Sequence, residues 1–170
     1  MTEGIAGGCQ CGAVRFRLSG LGRASICHCR MCQKAFGSFF GPLVTAKGLE
    51  WTRGEPARFD SSNVVRRGFC AKCGTPLTYE YEGGVEVAIG ALDEPHRAAP
   101  VIQVNPADML PFFDRLHTLP FRKQGESAAV DDFMRSVISH QHPDRDTTDW
   151  PTARSPETHA PETYAPDNGH

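Results

Sequence analysis

The chain has 170 residues, 39% hydrophobic and 22% charged, with a net charge of −2 and seven cysteines. That length fits one domain rather than two, and the near-neutral balance lacks the basic excess of a constitutive nucleic-acid binder. No apolar run reaches the roughly 18–20 residues of a membrane span, and the start Met1-Thr2-Glu3-Gly4-Ile5 lacks a secretory signal's basic and apolar stretches, so a cytoplasmic location is expected.

Taken in order, the first half of the chain reads as short strands. Val14, Phe16 and Leu18 alternate with Arg15 and Arg17, which predicts a strand with one buried and one wet face. Further runs follow at 39–44, 57–61, 64–69, 77–81, 85–89 and 101–104, most of them bounded by Gly, Pro or Asn. Glu82-Gly83-Gly84 predicts a hairpin turn between Tyr81 and Val85, because glycine supplies the positive φ that such turns require. Val130, Phe133, Met134, Val137 and Ile138 then fall at helical spacing. Ser127 is the expected N-cap of this helix, and Asp131 and Asp132 lie near its positive end. Its apolar stripe is expected to pack on the domain or on a second subunit, so the chain could form a homodimer.

Composition changes at the C-terminus. Residues 1–142 carry 16 Lys and Arg against 14 Asp and Glu, a net of +2; residues 143–170 carry 2 against 6, a net of −4. The last segment holds five prolines and no Leu, Ile, Val, Phe or Met, so it cannot offset its own ordering entropy and reads as a flexible acidic tail. His159 and His170 within it read as solvated. The expected organisation is a mainly β domain of antiparallel sheets over 1–122, a helical segment over 123–142 and the tail over 143–170.

The chemistry lies in the cysteines: Cys9 and Cys11, then Cys27, Cys29 and Cys32, then Cys70 and Cys73. An odd count without an export signal argues against a disulfide framework. Each cysteine lies within three residues of another, which is the spacing of zinc ligands, since two thiolates from one tight turn can share a tetrahedral ion. Cys70-Ala71-Lys72-Cys73-Gly74 has the form of a zinc knuckle. A closed structural zinc takes four protein ligands and a catalytic one commonly three. Seven cysteines therefore divide as Cys9, Cys11, Cys70 and Cys73 around one ion, with Cys27, Cys29 and Cys32 around another. Spacing equally permits a ribbon pairing Cys29 and Cys32 with Cys70 and Cys73.

The runs GGCQCG at 7–12, CHCRMCQKAFG at 27–37 and GFCAKCGTPL at 68–77 resemble the glutathione-dependent formaldehyde-activating enzyme family, which includes centromere protein V homologues. The resemblance covers roughly residues 5–122. It implies a β-tent zinc fold with two zinc ions per chain: a structural zinc on Cys9, Cys11, Cys70 and Cys73, and a catalytic zinc on Cys27, Cys29 and Cys32. It also implies a carbon–sulfur lyase or synthase that joins a thiol such as glutathione to a small aldehyde such as formaldehyde, giving S-(hydroxymethyl)glutathione. Members often carry a His-Ile pair and a Pro-Trp pair near the last strands, where this chain reads Pro100-Val101-Ile102 and Leu110-Pro111-Phe112.

Around the triplet, His28 is expected to point away from the metal, because four neighbouring donors would crowd one ion. Arg30 and Lys34 are candidates to offset an anionic zinc or to hold a carboxylate. Phe36, Phe39 and Phe40 read as core packing rather than pocket wall, and Arg66-Arg67 is too short a run for a polyanion site. His96 and His117 read as loop residues. A second function class is a non-catalytic binding module with two structural zincs, the triplet being closed by a fourth ligand such as His28. A thiol redox protein would need a cysteine outside both sites, and the count leaves none.

Overall fold

Among residues 4–150, which the computed structural model describes, ten short strands form two sheets. The smaller sheet is antiparallel and runs in the order β1 (Ile5–Gly8), β2 (Arg15–Leu18), β5 (Glu50–Arg53). The larger runs β10 (Ile102–Val104), β3 (Gly20–Cys27), β4 (Gly41–Lys47), β9 (Gly84–Ala88), β8 (Pro76–Tyr81), β7 (Val65–Phe69), β6 (Ala57–Asp60). Its pairs are antiparallel except β10 with β3, which are parallel. The fold is therefore mainly β, with one mixed sheet where wholly antiparallel sheets were expected. No helix of the described residues is long and apolar enough to cross a membrane.

The core lies between the sheets. Phe16 and Leu18 of β2 meet Val44 of β4, Leu77 of β8 and Val87 of β9, all buried, and Phe16 packs edge-on to Trp51 with ring centroids 5.9 Å apart. Because side chains alternate across a strand, Glu86, the neighbour of core Val87 in β9, faces the opposite way. Arg67, Tyr79 and Glu86 are cross-strand neighbours in β7, β8 and β9, so one polar row runs across that second face.

β2 departs from the simple two-faced reading. Arg15, expected on the wet face, is buried; its guanidinium donates to both carboxylate oxygens of Asp93, at 2.7 and 2.5 Å, and to Asp146 at 2.9 Å. A buried cation persists only with such partners. Arg17 remains outward and bonds the second oxygen of Asp146.

Two helices complete the described chain, α1 (Arg30–Phe36) and α2 (Ala128–Ser136). Ser127 caps α2, its hydroxyl accepting from the Val130 amide. The apolar stripe of α2 does not pack on the domain: Phe133 and Met134 are 65% and 61% exposed, and Val137 and Ile138 are exposed beside them. The inward residue is Asp131, which accepts from Arg122 and from the Gly125 amide. Those bonds turn the polar side of the helix toward the chain.

Beyond α2, residues 142–150 form a strap along the smaller sheet. His142 is buried, and its amide donates to the Gln10 carbonyl at 2.7 Å. Arg53 donates to the Thr147 carbonyl, Asp146 bridges Arg15 and Arg17, and the Trp150 indole N–H donates to the Cys11 carbonyl at 2.7 Å. Composition places 143–150 in a solvated tail; the ionic and hydrogen-bonded partners that hold it come from β2, β5 and the first cysteine turn. Residues 151–170, with His159 and His170, lie outside the described residues.

Acid should release this strap. Burial holds the His142 imidazole below its ordinary pKa. A base with a depressed folded pKa stabilises the docked state above its unfolded value of about 6.5, and that contribution is lost as pH falls through the folded value. Asp146 is held below the usual carboxylate range: burial pushes it up, but the bonds from Arg15 and Arg17 outweigh burial, so it lets go only at lower pH. In a Trp51→Phe background, Trp150 emission should shift to the red below about pH 6. A flat response between neutral and mildly acid pH would refute the role of His142.

Candidate metal centre

Four cysteine thiols meet where two turns face each other. Cys9 and Cys11 leave the end of β1, and Cys70 and Cys73 follow β7. The knuckle is closed by the Gly74 amide on the Cys70 carbonyl at 2.8 Å and the Cys70 amide on the Thr75 carbonyl at 3.0 Å. Gly74 adopts a φ of 78°, left-handed backbone that a side chain would strain. The Gln10 amide donates to Thr75 Oγ1 at 3.0 Å, tying one turn to the other. Cys9 Sγ lies 3.6 Å from Cys11 Sγ, and Cys11 Sγ lies 3.9 Å from Cys70 Sγ.

The remaining three form a second group, all three sulfurs within 4.8 Å of one another. Cys27 ends β3, Cys29 is the N-cap of α1, and Cys32 lies in its first turn. Cys29 Sγ accepts from the Cys32 amide at 3.4 Å and lies 3.4 Å from Cys27 Sγ. Helix α1 sits hard against β4 at Gly41, where a Cβ would come within 2.9 Å of the Cys32 Cβ. A glycine there lets Cys32 reach its partners. The groups are thus four and three, and the ribbon pairing of Cys29 and Cys32 with Cys70 and Cys73 is not formed.

Both groups fit a soft divalent metal. Four thiolates around an ion with Zn–S of about 2.3 Å stand about 3.8 Å apart, close to the sulfur spacings in both clusters. All seven cysteines are free thiols, and each group gathers sulfurs that without a metal would crowd one another as anions. Two cysteine clusters that could each hold a metal ion are therefore present.

Protein donors bias the sulfurs further. Burial pushes the Cys32 thiol up to about 12, against the pull of Arg67. Burial also acts on Cys27, but the Cys29 amide and the Asn105 side chain outweigh it and hold Cys27 below its usual value. Cys73 is brought down to about 6; burial opposes this, and bonds from Thr75 prevail. A metal entering the Cys27 group must displace the Cys32 proton, so its uptake releases acid and weakens as pH falls.

Asn105 Nδ2 donates to Cys27 Sγ at 3.1 Å and Arg67 Nη2 donates to Cys32 Sγ at 3.3 Å. Sequence reasoning sought the compensating cation in Arg30 or Lys34. Both are exposed, and Arg30 donates to Gln33 instead. Asn105 was not singled out at all, although it is the one non-glycine residue with positive φ among those described. An Asn before Pro106 was the only available signal, and it read as a strand boundary.

The other candidates sort cleanly. His28 is fully buried, bonds Gln103 through Nε2 at 2.9 Å and packs edge-on to Phe113, and it is not among the gathered ligand atoms. Phe36 packs on the core, while Phe39 and Phe40 stack on Phe112 and Phe113. Arg66 pairs with Glu80. His96 and His117 are exposed in short 3-10 turns. A cleft of about 630 Å³ opens over the second cluster, lined by Cys27, Cys29 and Cys32 with Arg67, Tyr79 and Glu86 from the polar row.

A mainly β chain with four-thiol and three-thiol clusters falls in the class of β proteins whose gathered cysteines could hold metal ions. The profile of the glutathione-dependent formaldehyde-activating enzyme family matches residues 4–107, and the chain belongs to that family. It is also similar to the crystal structure of a Rhodobacter sphaeroides protein, at 22% identity, covering 58% of this chain and 99% of that one, with a TM-score of 0.49. No curated protein matches the chain.

Proposed function

We propose that the protein is a zinc-dependent carbon–sulfur lyase or synthase that joins a thiol such as glutathione to a small aldehyde such as formaldehyde. The observation that carries this reading is the three-thiol cluster facing a cleft: among the described residues, no fourth Cys, His, Asp or Glu joins Cys27, Cys29 and Cys32. A closed structural site would need such a ligand. In this reading Cys9, Cys11, Cys70 and Cys73 hold a structural zinc, and Cys27, Cys29 and Cys32 a catalytic one, in a cytoplasmic enzyme.

Cys27, Cys29 and Cys32 would hold a thiophilic zinc, which would supply Lewis acidity that favours the thiolate form of an incoming thiol. The chain's own groups do the rest. Asn105 and Arg67 fix Cys27 and Cys32, and the cleft walls of Tyr79 and Glu86 confine the aldehyde beside the sulfur. The carbon–sulfur bond forms as the carbonyl π bond opens, and the oxygen takes up one proton, matching the one the thiol lost. The reverse sequence cleaves the adduct.

Exchange NMR on glutathione and formaldehyde tests this directly. The zinc-loaded protein should raise the rate of S-(hydroxymethyl)glutathione exchange well above the uncatalysed rate. An unchanged rate, with glutathione leaving the Cys27 metal unperturbed, would favour the binding-module reading.

A further inference from the structure

Arg67 is a buried cation whose hydrogen-bond partners among the described residues are the Ser61 hydroxyl and the Cys32 sulfur. It is 8% exposed; Nε donates to Ser61 Oγ at 3.0 Å, Nη2 donates to Cys32 Sγ at 3.3 Å, and the guanidinium carbon lies 5.0 Å from the centre of the Tyr79 ring. No described carboxylate pairs with it, whereas Arg15, Arg17, Arg58, Arg66, Arg97, Arg122 and Arg135 all have one. Burying an uncompensated charge is expensive, and the partner within reach of Arg67 is the cysteine cluster, which would become anionic when a metal displaces its protons.

We propose that Arg67 is a positioning residue that sets the charge of the ligand the Cys27 cluster accepts, admitting an anionic sulfur over a neutral one. Three thiolates around a divalent ion carry one net negative charge, which would repel a fourth anion. The guanidinium cancels that charge, and Ser61 and Tyr79 fix it against Cys32. A thiolate entering the cleft then meets a neutral site and makes it anionic. Once its sulfur has become a thioether, the site returns to neutrality and the product loses its electrostatic hold. Asn105 donates to Cys27 without charge, so it orients that sulfur but leaves the balance unchanged. This inference rests on the proposed thiol chemistry of the cleft.

The test compares two ligands of nearly one shape, glutathione and S-methylglutathione, on protein with cobalt(II) in place of zinc. Affinities are read by calorimetry and from the cobalt absorption. Wild-type protein should prefer glutathione. Arg67→Met should cut that preference at least tenfold, with both metals still bound, and Arg67→Lys should restore most of it. Arg67→Gln, which keeps the polar contacts without charge, should behave as Arg67→Met, and it provides the reading if the methionine variant does not fold. Equal weakening of both ligands, or an unchanged preference, would overturn the role of Arg67 alone. If glutathione leaves the wild-type cobalt spectrum unmoved, the thiol chemistry of the cleft falls, and this inference with it.

Discussion

Cys70→Ser is expected to cost the protein its fold. Cys70 is 1% exposed, sits in the core cluster and brings the β7 turn against the Cys9 turn. A structural zinc contributes an apparent 10–16 kcal/mol to folding in small zinc domains, at roughly neutral pH. Even a fraction of that exceeds what a domain of marginal stability can lose. Serine is a poor ligand for a soft site, and three remaining sulfurs would hold the ion weakly. The variant should bind one metal fewer per chain by mass spectrometry, and its unfolding free energy should drop by more than about 4 kcal/mol. A soluble Cys70→Ser protein with an unchanged denaturant midpoint would show that the four-cysteine cluster does not support the fold.

The opposite pattern is expected of Cys29→Ser. Cys29 is only partly buried and lies at the start of a short helix beside the cleft. Serine is itself a favoured N-cap, so the substitution keeps the cap on the Cys32 amide while removing the thiolate. Thiol–aldehyde turnover should fall by roughly 10³-fold or more, which corresponds to about 4 kcal/mol of transition-state stabilisation. Stability should change by less than about 2 kcal/mol, since no core contact is lost. Full turnover with the second metal absent would reject the proposed mechanism. Taken together, the two substitutions separate a cluster that holds the chain from one that faces the solvent.

These clusters also show how far a sequence can be read. The Cys70–Gly74 knuckle and the turn after Tyr81 were legible because their geometry is local: a CxxC pair and a glycine with positive φ, 78° at Gly74 and 84° at Gly83. The strands themselves were legible as short apolar runs bounded by Gly, Pro or Asn, and β2 as an alternating one. Which cysteines would meet was not fixed by spacing. Cys11 and Cys70 come together because β1 and β7 end side by side in different sheets, a fact of topology. The role of Arg67 was not legible for a related reason: from β7 it reaches Cys32 in α1, far along the chain from that sulfur. Arg15 looked like a wet-face residue because Asp93 and Asp146, which make its burial tolerable, lie far downstream. The stripe on α2 was legible as apolar, and of the two coverings expected for it the domain is not the one. Helical period identifies an apolar face, but it cannot say that Asp131, bonded to Arg122 and Gly125, turns that face outward.

The strap from His142 to Trp150 bears on how the protein is made. All four thiols of the first cluster have left the ribosome once Cys73 has emerged, whereas Trp150, which bonds the Cys11 carbonyl, emerges much later. At about 5–20 residues per second that interval lasts on the order of ten seconds. The four thiols can gather during synthesis, and the bond from Trp150 to the first cysteine turn arrives afterwards. The first cysteine turn can therefore take shape before the strap that docks onto it exists.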